Sequence, residues 1–198
     1  LVKVRERIKR EILDNIINFA IEAYTPKQII GLVVNVKSGE ILAMTSYPYY
    51  DPNNYQEYDP NIYNKNLPIF YSFELGSTFK TFTYSVALEL GLVDINDFFY
   101  CKGHTIVADR KLKCWKSKTG HGSQTFLETL QNSCNPAFVE LGRRIGTDNF
   151  YKYLDTFGFT SKTGIDITGE QKGITMPKSQ CGPVELATQS FGHTSAYT

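Results

Sequence analysis

The sequence predicts an α/β protein, in which a sheet is flanked by helices and joined to a mostly helical part. The chain has 198 residues, of which 41% are hydrophobic and 21% are charged, and this is the composition of an ordinary globular protein. One amphipathic helical pattern and two short β-rich runs open the chain, and helix start and stop signals recur through its second half. We expect residues 1–198 to form a single domain.

The charge balance and the apolar runs disfavour several classes of protein. Lys and Arg total 21 against 20 Asp and Glu, which gives a net charge of +1 and disfavours a nucleic-acid partner. The longest apolar runs, at 29–34 and 85–93, are far shorter than the ~20 residues that cross a bilayer. Four cysteines are too few for a disulfide-rich scaffold. We expect a soluble piece of a longer protein.

The first half of the chain combines one helix, one hairpin and one long loop. Apolar residues recur every three to four positions over 4–24, including Val4 and Ile8, so we predict a helix that Pro26 ends. Two β-rich runs, 31–36 and 41–46, predict a hairpin at the edge of a sheet. The segment 47–75 carries seven tyrosines, several prolines and no period, which predicts a long loop.

The second half carries its own helix signals. A helix is predicted from Gly76 to Gly91, and Thr125 with Glu128 forms a capping box before another. Asn135-Pro136 starts a third helix, Gly146 ends it, and a further helix follows to Gly158. Shorter features complete the series: a small hairpin of 105–107 with 111–113, an extended and glycine-broken stretch over 165–175, and a last helix over 183–191.

Ser77 and Lys80 form the first candidate for chemistry. Three residues apart at the start of a helix, they lie on one face and within reach of each other. A lysine can take the proton of a serine hydroxyl only if burial lowers its pKa, and Phe73, Phe79 and Phe82 offer apolar surroundings. The alternative is an N-cap serine beside a solvated lysine.

Ser133 and Asn135 form the second candidate. They lie in a short turn between two predicted helices, where a hydroxyl can relay a proton and a carboxamide can hold a substrate amide. The alternative is that Asn135 only caps its helix.

These motifs occur in segments that resemble the transpeptidase domain of class B penicillin-binding proteins. The segments are NKNLPIFYSFELGSTFK (64–80), GHGSQTFLETLQNSCNPAFVELGRRIG (120–146), FGFTSKTGIDITGE (157–170) and GPVELATQSFG (182–192). The resemblance runs in order from about residue 25 to 198, and is closest to clostridial and related members, including the stage V sporulation protein D group. Ser77-x-x-Lys80 and Ser133-x-Asn135 match two motifs of this family.

The resemblance implies a β-lactamase/transpeptidase-like fold and a serine D,D-transpeptidase. Ser77 would attack a D-Ala-D-Ala stem peptide of peptidoglycan, or a β-lactam, with Lys80 as the general base. Ser133 would pass the proton to the leaving amine and Asn135 would bind the substrate amide. It further implies no cofactor for catalysis, a membrane-anchored enzyme on the extracytoplasmic face, and other cell-wall proteins as partners, such as a glycosyltransferase.

The chain departs from the family in two places. Leu75 stands where the family usually has proline. The third motif, a Lys-Thr-Gly on a strand downstream of Ser133, is missing, because the tripeptides at 118–120 and 162–164 lie outside that context. We therefore expect the last strands to be missing and the chain alone to be inactive or impaired. A β-lactamase or β-lactam sensor on the same fold, and a non-catalytic module, remain alternatives.

Cys101, His104 and Cys114 have the outline of a small zinc site. A Cys-x-x-His pair and a second cysteine beyond a hairpin can meet, and His121 or Asp109 would complete four ligands. A disulfide between Cys101 and Cys114, or two free thiols, are the alternatives. Cys134 is expected to line the pocket and Cys181 to be buried or incidental.

Overall fold

The computed structural model describes the backbone of residues 2–198 and the side chains of residues 10–198. Its contacts divide the chain into two compact units. The first unit contains the residues up to Tyr71 together with Gly164–Gln171, and the second contains Ser72–Thr163 and Lys172–Tyr197. Among the described residues, none of the helices combines the length and apolar content that crossing a membrane requires.

The first unit is built on the predicted helix and hairpin. Its elements are α1 (Val2–Tyr24), β1 (Ile29–Val34), β2 (Ile41–Tyr47), α2 (Pro60–Tyr63) and α3 (Leu67–Phe70). β1 and β2 are antiparallel, which confirms the hairpin. Helix α1 covers one face at Gly31, where a Cβ atom would lie only 2.9 Å from Leu13 and 3.2 Å from Ile17. The side chains of Val4 and Ile8 lie outside the described residues.

The tyrosine-rich segment is more regular than its sequence predicts. It contains a 3-10 turn over Pro52–Glu57 and the two single-turn helices α2 and α3. The carboxylates of Asp51 and Asp59 accept hydrogen bonds from the backbone N–H groups two residues on, and so cap the first two of these turns. Such helices are too short to show a hydrophobic period, which is why the sequence indicated a loop.

The second unit carries the remaining elements. They are α4 (Lys80–Glu89), β3 (Phe98–Cys101), β4 (His104–Val107), β5 (Arg110–Lys113), β6 (Gly122–Thr125), α5 (Phe126–Gln131), α6 (Asn135–Thr156) and α7 (Pro183–Gln189). The capping box of Thr125 and Glu128 and the small β4–β5 hairpin are confirmed. Gly146 kinks α6 with a φ of 74°, at the point where the sequence predicted one helix to end and another to begin. The β3–β6 pair was not predicted.

An aromatic core fixes the position of α4. Phe79 and Phe82 pack on each other and on Phe150 of α6, and Phe79 stacks on Tyr197 at 5.4 Å between ring centroids. Because Phe79 and Phe82 flank Lys80, the same packing draws Lys80 inward, and only 1% of this residue is exposed.

Candidate active site

Ser77 and Lys80 lie at the head of α4. Ser77 is the second residue of a 3-10 turn, Gly76–Phe79, and is exposed, whereas Lys80 is the first residue of α4 and is buried. The Nζ atom of Lys80 lies 3.2 Å from the Oγ atom of Ser77. The structure thus places an accessible hydroxyl beside a buried amine.

Ser133 and Asn135 reach the same amine from the turn between α5 and α6. Ser133 has a φ of 49°, in the left-handed region, and Asn135 is the first residue of α6. Lys80 Nζ donates to Ser133 Oγ at 2.8 Å, to the Ser133 carbonyl at 3.0 Å and to Asn135 Oδ1 at 2.6 Å. The hydroxyl of Ser133 also donates to Ser77 Oγ at 3.0 Å. All four residues expected from the sequence therefore meet at one point.

The number of oxygens around Lys80 matters for the chemistry. Four oxygen atoms lie within 3.2 Å of Nζ, but an ammonium has only three N–H donors. One of the four contacts therefore cannot be a bond that the lysine donates at the same moment. The contact with Ser77 Oγ is the longest, and in the neutral lysine it can reverse, so that the serine hydroxyl donates to the amine.

Burial also favours the neutral amine. It lowers the pKa of Lys80 to about 8, and this effect outweighs the opposing influence of the Cys134 and Cys114 thiols. The ring of Phe138 lies 5.4 Å from Nζ. Of the aromatic residues expected near Lys80, Phe79 and Phe82 belong to the core and Phe73 is about half exposed. Phe138 was missed, although its position three residues after Asn135 on α6 was a usable signal.

A second cluster of reactive side chains lies beside this site. The ligand atoms of Cys101, Cys114, His121 and Cys134 lie within 4.8 Å of one another. The three cysteines are buried, and they are free thiols in the structure. The Nδ1 atom of His121 lies 3.5 Å from Cys114 Sγ, and its Nε2 atom is buried without a partner among the described residues.

The composition of this cluster corrects the sequence expectation. His104 is not part of it; His121 takes its place, Cys134 is the fourth member, and Asp109 is not included. The reason is strand alternation: His104 is paired with Lys113, so the two share a face, while the next residue, Cys114, turns to the other face. Cys134 is the N-cap residue of α6, so the cluster lies at the N-terminus of that helix.

Neither Lys-Thr-Gly tripeptide lies on a strand. Residues 118–120 belong to the turn that leads to His121, and residues 162–164 lie in irregular backbone. The position of both is consistent with the expectation that they are not the third motif of the family.

The sequence matches the family described as the penicillin binding protein transpeptidase domain over residues 29–198. The chain belongs to this family. It is 49% identical over 197 residues to stage V sporulation protein D of Bacillus subtilis, an alignment that covers 99% of this chain and 30% of that protein. It is 30% identical over 184 residues to a probable peptidoglycan D,D-transpeptidase FtsI of Caulobacter vibrioides, which covers 91% of this chain and 30% of that protein.

The fold agrees with this membership. Penicillin binding protein 3 of Mycobacterium tuberculosis, solved in complex with aztreonam, superposes with a TM-score of 0.86 at 22% identity, over 96% of this chain and 42% of that one. The expected transpeptidase-like α/β fold is therefore confirmed. The chain spans about a third of the length of the curated relatives it matches.

Proposed function

We propose that this chain carries the acylation site of a serine D,D-transpeptidase that cross-links peptidoglycan stem peptides. The observation that carries the proposal is the buried amine of Lys80 between the hydroxyls of Ser77 and Ser133. This arrangement supplies a nucleophile, a base and a proton relay in one place. The family match covers residues 29–198, which include residues of both compact units. This supports the proposal that the whole chain is part of one transpeptidase domain.

In the first step, neutral Lys80 takes the proton of Ser77 as Oγ attacks the carbonyl carbon of the penultimate D-alanine. A C–O bond forms, the peptide C–N bond breaks, and the terminal D-alanine leaves. The proton held by Lys80 passes through the Ser133 hydroxyl to the leaving nitrogen, along the 2.8 Å contact between Nζ and Oγ. The side-chain amide of Asn135 binds the substrate amide on the same side.

In the second step, an amine of a neighbouring stem peptide attacks the acyl-enzyme. A new C–N bond forms, the ester C–O bond breaks, and the amine proton returns to Ser77 Oγ by the same relay. A β-lactam follows the first step only: its ring amide opens on Ser77 and leaves a stable acyl-enzyme. No step requires a cofactor.

Labelling with a fluorescent penicillin tests the proposal in the whole protein. We expect Ser77→Ala to abolish labelling and Ser85→Ala, at an exposed serine on α4, to leave it unchanged. Rapid turnover of nitrocefin would instead identify a β-lactamase, and a protein that neither labels nor hydrolyses would be a non-catalytic module.

A second proposal concerns the cluster of Cys101, Cys114, His121 and Cys134, which we propose binds a structural zinc ion. Three thiols and one imidazole are a donor set that zinc prefers, and the Nε2 atom of His121 is buried without a hydrogen-bond partner among the described residues. Burial and the charge of Lys116 lower the pKa of His121, which keeps the imidazole neutral as metal binding requires. The ion would tie β3 and the β4–β5 hairpin to the start of α6.

Metal analysis of protein purified without chelator, combined with a count of reactive thiols, tests the zinc proposal. We expect about one zinc ion per chain, lost in Cys114→Ser and retained in Cys181→Ser, the cysteine outside the cluster. If the protein holds no metal and the count gives two reactive thiols fewer than the four cysteines of the chain, a disulfide is present instead.

We also propose that the whole protein acts on the extracytoplasmic face of the membrane, anchored by a segment outside this chain, because peptidoglycan is cross-linked there. A glycosyltransferase that supplies the glycan strand is the partner this reaction needs. Protease accessibility of the tagged whole protein in intact spheroplasts, and cross-linking to that partner, test these points.

A further inference from the structure

The segment just before Ser77 lies against the last residues of the chain. Phe73 and Tyr197 exchange two backbone hydrogen bonds of 3.0 Å, and the N–H of Gly76 donates to the carbonyl of Gly192 at 3.0 Å. The two backbones approach so closely at Gly192 that a Cβ atom there would overlap the carbonyl oxygen of Gly76. The start of the nucleophile turn is therefore held from outside its own helix.

Glu74 joins the same two segments through its side chain. Its Oε1 atom accepts a hydrogen bond of 2.7 Å from the backbone N–H of Thr194, and its Oε2 atom lies 3.0 Å from Nδ1 of His193. The backbone N–H of Thr194, followed by the contact with His193, lowers the pKa of Glu74, so the carboxylate is ionised at neutral pH and His193 donates to it. One oxygen of the Glu74 carboxylate thus holds the backbone of Thr194, and the other holds the side chain of His193.

The residue that Glu74 holds is strained. Thr194 has a φ of 78°, which is unfavourable for a β-branched side chain and persists only where its surroundings enforce it. Two contacts do so: the carboxylate of Glu74 on its N–H, and the hydroxyl of Thr188 of α7, 2.6 Å from the Thr194 hydroxyl. Loss of the carboxylate would leave that conformation supported from one side only.

We propose that Glu74 is a positioning residue for the acylation of Ser77. Only Leu75 and Gly76 separate it from the nucleophile, so its hold on the 193–194 segment, together with the backbone bond from Gly76 to Gly192, positions Ser77 Oγ relative to Lys80 and Ser133. The inference rests on the proposed acylation by Ser77. Glu74 and His193 are about half exposed, with 48% and 53% of their side chains accessible, so removing the carboxylate leaves the aromatic core intact.

The test compares Glu74→Ala, Glu74→Gln and the control Glu89→Gln, an exposed glutamate at the end of α4, in the whole protein. The rate constant for acylation at saturating fluorescent penicillin and the half-saturating concentration are measured separately. We expect Glu74→Ala to lower the rate constant by at least about tenfold, because misplacing a nucleophile by a fraction of an ångström is costly. Glu74→Gln keeps an acceptor for the Thr194 N–H and is expected to recover most of the rate.

Hydrogen exchange of the Gly76 amide gives a readout that does not depend on labelling. We expect Glu74→Ala to accelerate its exchange, while the unfolding temperature stays that of Glu89→Gln. An acylation rate constant in Glu74→Ala equal to that of Glu89→Gln overturns the inference, and so does unchanged exchange at Gly76. Equal loss in Glu74→Ala and Glu74→Gln together with a lower unfolding temperature overturns it as well, since it indicates a structural role. Failure of the unsubstituted protein to label would contradict the proposed function instead.

Discussion

At the scale of single residues, Lys80 decides what the site can do. A lysine that is almost completely buried is unusual. Here its amine is surrounded by uncharged hydroxyl, carbonyl and amide oxygens, and none of them belongs to a carboxylate. With no carboxylate among these contacts to hold the proton, burial lowers the pKa instead. The residue is thereby suited to take up a proton close to neutral pH.

The first prediction follows from this pKa. Below pH about 8, Lys80 carries its proton and cannot act as a base, so acylation by penicillin should fall about tenfold for each further pH unit and level off above the pKa. Lys80→Ala should fold yet acylate orders of magnitude more slowly, without this pH profile. The measurement is the labelling rate between pH 6 and 10, with the exposed Lys152→Ala as control. An unchanged profile in Lys80→Ala would rule out the lysine as base.

Ser133 gives the second prediction. Ser133→Ala removes the hydroxyl that links Lys80 to the leaving nitrogen but leaves Ser77 in place, so acylation should slow by about a hundredfold and still reach full labelling. Time courses of labelling measure both quantities. Thr129→Ser changes a buried hydroxyl residue on α5 and serves as control. Complete loss of labelling in Ser133→Ala would mean that its role is structural.

At the scale of elements, the sequence predicted correctly those features that depend only on residues close together in the chain. The capping box of Thr125 and Glu128 satisfies its own helix end, and the spacing of Ser77 and Lys80 follows from one turn of helix, so both could be read from a few residues. The partners of Cys101 could not. They come from the residue after β5, from the residue before β6 and from the N-terminus of α6, and only the packing of these elements brings them together. Glu74 and Thr194, 120 residues apart, are a similar case.

The turn before α4 gives the third prediction. Leu75 has a φ of −68°, which lies within the range that a proline ring imposes, and its amide donates no backbone hydrogen bond in the described part of the chain. Leu75 also packs against the aromatic core, so Leu75→Pro should be compared with Leu75→Ala, which loses similar packing. We expect the proline variant to be more stable than the alanine variant by about 0.4–1 kcal/mol, because the ring restricts the unfolded chain.

Denaturant titration of both variants measures this difference in the free energy of unfolding. An alanine variant as stable as the proline variant would show that the turn is strained by the ring. In that case the departure from proline at Leu75 would reflect a different backbone conformation rather than a loss of rigidity.

At the scale of the whole molecule, the proposed site draws its groups from two separate parts of the chain, the turn before α4 and the turn before α6. The proposed mechanism assigns the nucleophile, the base, the relay and one side of the substrate pocket to Ser77, Lys80, Ser133 and Asn135. The resemblance to the family implies a further wall, a Lys-Thr-Gly strand that binds the substrate carboxylate. In the described residues both Lys-Thr-Gly tripeptides lie off strands, in a turn and in irregular backbone.

The last prediction concerns the 198-residue chain by itself. The proposed nucleophile Ser77 and the proposed base Lys80 are in contact, but neither Lys-Thr-Gly tripeptide of the described residues lies on a strand, where the family resemblance places the carboxylate-binding wall that orients a penicillin. We therefore expect labelling of the isolated chain to be weak or absent at a penicillin concentration that saturates the whole protein, since binding without orientation forfeits most of the rate. Stoichiometric labelling of the isolated chain at the rate of the whole protein would contradict this prediction, because it would show that Asn135 and its neighbours hold the substrate without a third motif. Ser77→Ala in the same chain is the control for nonspecific attachment of the penicillin.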